Sequence, residues 1–170
     1  MLPMLIVLIA FTVFRLAGAA GVRQLRDWRV SLRYALALMF LVTASGHWGV
    51  RRADLVRMVP PAFPSPELLV TLTGLAEIAG AIGLLWTRTA RLAAACLTLF
   101  LLAVFPANVY AARQQLTIAG KPVTPLPLRT AVQVGLVAAT AAIAVSSRHE
   151  DRARADSRDA VPDAPGLRTR

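Results

Sequence analysis

The chain has 170 residues, 56% of them hydrophobic and 16% charged, and the apolar residues come in long blocks. This excludes an ordinary soluble domain and points to a polytopic membrane protein. The net charge of +10 does not signal nucleic acid, because the basic residues flank apolar blocks or crowd the C-terminal tail, where they read as topology signals and lipid-headgroup contacts.

Five apolar windows of bilayer-spanning length follow one another at 2–21, 32–50, 68–86, 92–112 and 130–147. The first has no basic residue ahead of its apolar core and carries Arg15 where a signal core would end, which favours a retained membrane helix over a cleaved signal. Arg15 is expected to snorkel or to face the bundle interior. The segment 51–67 places Pro60, Pro61, Pro64 and Pro66 close together, and a stiff, extended lid or connector is expected there. The segment 113–129, with Pro122, Pro125 and Pro127, is expected to behave similarly. The tail 148–170 mixes charges, has two prolines and little apolar surface, and is expected to be disordered.

Positive charge orients the set. With the N-terminus outside, the inner segments hold Arg23, Arg26, Arg29, Arg33, Arg88, Arg91 and the tail arginines, and the outer segments hold Arg51, Arg52, Arg57, Arg113, Lys121 and Arg129. The inner excess favours N-out and C-in, although it rests on the tail. Arginine far outnumbers the single lysine, and alanine is abundant, as in a GC-rich bacterial genome. The expected location is therefore a bacterial cell (inner) membrane.

Glu77 is the single charge inside its span and lies near the centre of it. An ionisable group at that depth is either a functional group or a protonated carboxyl acting as an interhelical hydrogen-bond anchor. Other polar residues fall in the same half of the membrane. His47, Asn108 and Gln133 lie roughly 5–6 Å below the span ends on one side, and Glu77 roughly 13 Å below, at 1.5 Å per residue. Thr73 precedes Glu77 by four residues and shares its helix face. These five define a candidate polar pocket, with Glu77 and His47 as a candidate proton relay. Each also has a plainer reading. His47 beside Trp48 suits a membrane interface. Asn108 is placed to satisfy the carbonyl that Pro106 frees. Gly74, Gly80 and Gly83 suit close helix packing and also leave room beside the carboxylate.

The chain holds few other chemical devices. Cys96 is the one cysteine and lies in an apolar run, so no internal disulfide forms and a buried, inert thiol is expected. One histidine, one glutamate and one asparagine make no recognisable zinc, iron or haem set, and no metal site is assigned. There is no phosphate-binding loop, dinucleotide fingerprint or dithiol pair.

Several strings occur together: Arg33-Tyr34-Ala35-Leu36 opening a span that ends at Gly46-His47-Trp48, then Met58-Val59-Pro60. Further on come Thr73-Gly74-Leu75-Ala76-Glu77-Ile78-Ala79-Gly80-Ala81, Phe105-Pro106-Ala107-Asn108-Val109-Tyr110-Ala111, and Leu126-Pro127-Leu128-Arg129 followed by Gln133. In this combination, from about residue 33 to 145, the chain resembles the DoxX family of small membrane proteins. The resemblance implies an all-α, four-helix membrane bundle over 32–147. Residues 1–31 then form an added N-terminal helix and inner loop, and 148–170 a charged tail.

The resemblance also implies a choice of roles. Some relatives are linked to sulfur-compound oxidation with a quinone acceptor, others to thiol or oxidative-stress systems as membrane partners of soluble redox proteins, and distant ones to assembly of other membrane proteins. The expectation is a membrane component of a quinone- or thiol-linked redox system, in contact with the bilayer and with a soluble or membrane redox partner. If enzymatic, it would be an oxidoreductase subunit rather than a stand-alone enzyme, because the chain has no evident electron carrier. A non-catalytic binding or assembly factor is the alternative. A small transporter ranks below both, since inverted repeats and broken helices are not evident.

Overall fold

The computed structural model describes residues 2–159, with side chains as far as 146. Among the described residues the chain forms six helices and one small hairpin: α1 (Leu2–Ala19), a 3₁₀ turn (Arg23–Arg26), α2 (Trp28–Ser45), α3 (Arg52–Met58), α4 (Pro66–Leu85), α5 (Ala90–Arg113), β1 (Thr117–Ile118), β2 (Lys121–Pro122) and α6 (Leu126–Asp159). The protein is an all-α bundle. Four helices are long and apolar enough to cross a membrane: Leu2–Ala19, Pro66–Leu85, Ala90–Arg113 and Leu126–Ser146.

The remaining expected span, 32–50, corresponds to α2, which carries Arg29 and Arg33 in its first turns and is correspondingly less apolar. It is nevertheless the central helix, with Ala35, Leu36, Ala37, Met39, Phe40 and Ala44 all buried. It runs antiparallel to α4 along almost the whole of that helix. Arg33 reaches Leu84 and Leu85, Thr43 reaches Glu77, and His47 reaches Val70. α1 lies on the other side of α2, and α5 links α4 to α6. Leu5, Leu16, Leu68, Leu72, Leu92, Leu99 and Val134 point outwards and are half exposed or more, which gives the bundle an apolar outer surface suited to lipid.

The boundaries of α2 differ from the expected 32–50. Asp27 caps the helix at its start by accepting from the Arg29 N–H at 2.9 Å, so the helix begins four residues earlier. It ends at Ser45, before Gly46, so His47 lies on the turn beyond the helix rather than inside it.

The two proline-rich connections are not stiff, extended segments. Residues 52–58 of the first form α3. Pro60 and Phe63 then close a turn at 3.0 Å with Pro61 at its second position, which the fixed φ of proline favours. The second folds into the β1–β2 hairpin, in which Ala119 and Gly120 both take left-handed backbone, as a two-residue hairpin turn requires. The Ala119 N–H donates to Asp54 Oδ2 at 2.7 Å and pins the hairpin to α3. That bond, with Arg57 beside it, holds the Asp54 carboxyl below its usual range.

Three further features bear on what the sequence suggests. Cys96 is exposed on the outer face of α5, because Ala90, Ala94, Leu97 and Leu101 form the buried face. Arg15 donates to the carbonyls of Leu25 (3.1 Å) and Arg26 (2.6 Å) and ties α1 to the 3₁₀ turn. The α6 backbone continues as helix to Asp159, in a stretch with several good helix formers and no proline or glycine before Pro162. The charged tail expected from 148 thus begins within this helix, and its part from 160 onwards lies outside the described residues.

Candidate functional site

α4 supplies the deepest polar group. Glu77 Oε2 lies 2.8 Å from the Thr43 hydroxyl of α2 and 3.8 Å from His47 Nε2. The first distance is a hydrogen bond. The second is within ion-pair range but beyond a direct hydrogen bond. The other nitrogen of the ring, Nδ1, lies 2.7 Å from the Val70 carbonyl, an acceptor only, so Nδ1 carries a proton and donates it. The neutral ring then turns a bare Nε2 towards Glu77. The two groups thus face one another within ion-pair range, the bare Nε2 opposite a carboxyl oxygen.

Backbone architecture holds His47 in this place. Gly74 of α4 presses against the turn: a Cβ there would sit 2.7 Å from the Trp48 ring and 2.8 Å from His47 Cβ and Cγ. Arg52 fastens the turn from above, donating to the His47 carbonyl (2.9 Å), the Glu67 carbonyl (3.1 Å) and Thr71 Oγ1 (2.9 Å). Gly80 and Gly83 serve a different contact, against Leu97 and Ala93 of α5. The glycines of α4 therefore split between two neighbours rather than clearing space beside the carboxylate.

A cavity of about 200 Å³ opens beside the pair. His47, Thr73, Glu77 and Asn108 give it a polar wall, and Leu55 and Met58 of α3, Leu69, Phe100 and Val104 give it apolar walls. Thr73 donates to the Val70 carbonyl at 3.0 Å, next to the His47 bond. The covering element expected of the proline run is thus supplied mainly by α3. Apolar walls with a few convergent polar groups are the usual form of a small-molecule site.

Four of the five expected pocket residues share this cavity; Gln133 does not. It lines a neighbouring cavity of about 150 Å³ together with Asn108 and Arg129, and it donates to the Leu101 carbonyl. That acceptor lies beside the carbonyl of Leu102, whose helical partner is lost at Pro106. Gln133 thus bonds the carbonyl next to the one that Pro106 frees, not the freed one itself, and Asn108 Oδ1 accepts from Arg129 at 2.6 Å.

Sequence reasoning missed Thr43, Arg33 and Arg129 as interior groups. Thr43 precedes His47 by four residues, and Arg129 precedes Gln133 by four, so the same-face spacing that flagged Thr73 would have flagged both. Arg33 and Arg129 were counted as topology charges, yet Arg33 is buried and Arg129 half-buried.

Fold and site together define a helical membrane protein with a polar cavity at one end of its bundle. Residues 36–145 match the model of a family described as a domain of unknown function, DUF8561, and the chain belongs to that family. The matched region begins within α2, so α1 lies outside it. No curated protein and no solved structure matches the chain.

Proposed function

We propose that the chain is a DoxX-like protein of the bacterial cell membrane. All five long helices cross, with the N-terminus outside and the C-terminus in the cytoplasm, and the chain serves as a membrane component of a quinone- or thiol-linked redox system. The crossing of α2 is supported by its run alongside nearly all of α4, a helix long and apolar enough to span. The redox reading rests on one observation: a His47–Glu77 pair within ion-pair range on the wall of a slot that is otherwise largely apolar.

That chemistry suits a quinone headgroup. Reduction of a quinone to a quinol takes up two electrons and two protons. The Asn108 amide is a donor for a carbonyl, and His47 and Glu77 form a proton route into a slot with mostly apolar walls. The electrons come from a partner, so any enzymatic role is that of an oxidoreductase subunit. Purification in mild detergent tests this reading. Quinone, or a soluble oxidoreductase, should co-purify with the wild type and be reduced in Glu77→Ala. A stoichiometric membrane client with no quinone would instead mark an assembly factor.

A further inference from the structure

The second cavity poses a separate problem. It lies between the start of α1 and the α5–α6 pair, with Pro3 and Val132 on its walls and Asn108, Thr124, Arg129 and Gln133 as its polar groups. Arg129 brings a full positive charge to it. Among the described residues its guanidinium makes one hydrogen bond, from Nη1 to Asn108 Oδ1, and no carboxylate lies within ion-pair distance. Its Nε–H is buried with no acceptor. Neither residue beside it supplies the missing charge: Asn108 is neutral, and the Gln133 amide is turned to the Leu101 carbonyl. Half-buried guanidinium groups ordinarily have an anionic partner, because removing such a charge from water without one is costly.

We infer that this cavity is an oxyanion site, in which Arg129 binds a phosphate group. Arginine is suited to this ligand, since its planar fork of donors matches two phosphate oxygens at once. The Asn108 amide keeps its N–H donors free of the Arg129 contact, and the Thr124 hydroxyl lines the same space. The helix N-terminus of α6 contributes little, because the Leu128 and Arg129 N–H groups are already given to the Pro125 carbonyl. The site lies at the bundle end where α1 begins and α5 finishes, the level of a bilayer headgroup. The phosphate can therefore belong to a phospholipid or to a free phosphate compound. Asn108 is shared with the first cavity, but neither Glu77 nor His47 lines this one, so the inference does not need the redox reading.

The test is thermal unfolding of the full chain in a non-ionic detergent. One arm adds inorganic phosphate against chloride at equal ionic strength. The other adds phosphatidylglycerol against diacylglycerol, which has the same tails and no phosphate. The expected result is a Tm rise of several degrees in one arm, with the arm naming the source. The rise should vanish in Arg129→Gln and persist in part in Arg129→Lys. Asn108→Asp guards against a variant that fails to fold: it gives Arg129 an internal counter-ion, and should raise Tm without ligand and abolish the response. No rise in either arm for the wild type, or an equal rise in Asn108→Asp, would overturn the inference.

Discussion

Replacing Gly74 with alanine should destabilise the protein by about 1–3 kcal/mol, the usual cost of forcing atoms into a packed site. The sign is the informative part. In an open helix the same change stabilises, because glycine is about 1 kcal/mol worse than alanine in a helix interior. Here the new methyl would meet His47 Cβ and Cγ at 2.8 Å and the Trp48 ring at 2.7 Å. His47 Cβ is fixed to the backbone and cannot swing aside. The turn must move, which also draws Nδ1 from Val70 and Nε2 from Glu77. Gly135→Ala is the control within the same fold. Its Cβ would lie 3.0 Å from the far end of the flexible Met4 side chain, which can give way, so this variant should be neutral or slightly stabilised. Unfolding of both variants in detergent decides the matter.

Arg33→Met should cost about 2–3 kcal/mol, the range for hydrogen bonds to a charged group together with the acceptors left unpaired. The end of α4 shows why. The last carbonyls of a helix have no partner within it. The Thr89 hydroxyl takes the Gly83 carbonyl at 2.8 Å, and Arg33 takes those of Leu84 (2.9 Å) and Leu85 (3.1 Å). A cation is also favoured at a helix C-terminus by the macrodipole. Methionine keeps the length and apolar stem but leaves both carbonyls bare. Arg33→Lys keeps the charge without the planar fork and should recover about half of the loss. Tm values of the three proteins in one detergent check the order wild type, lysine, methionine.

The architecture was largely legible because each apolar block became a helix close to its expected place. What hydropathy could not weigh was charge with a job inside the fold. Arg33 and Arg129 looked like topology signals because a window average cannot see that one closes the end of α4 and the other faces Asn108. His47 was placed inside a span because its neighbours are apolar, whereas Gly46 ends the helix before it. That Glu77, His47, Thr73 and Asn108 fall in the same half of the bundle could be read because rise per residue is fixed. Gln133 shares that half yet faces another cavity, since depth says nothing about the direction a helix presents. The short helix α3 was hidden by the prolines that follow it, and its Leu55 and Met58 walls could not be anticipated.

The central claim is that Glu77 works as an ionisable partner of His47, not merely as a buried hydrogen-bond anchor. Glu77→Gln keeps a polar side chain of the same size, able to bond Thr43, and removes the exchangeable proton. Glu77→Ala removes both. Each is to be placed in a strain lacking the gene and scored for rescue of the deletion phenotype, with Tm measured on the purified protein. The account predicts that neither variant rescues while Glu77→Gln unfolds at the wild-type temperature. Full rescue by Glu77→Gln, with Glu77→Ala destabilised, would contradict it and leave Glu77 as an anchor between α2 and α4.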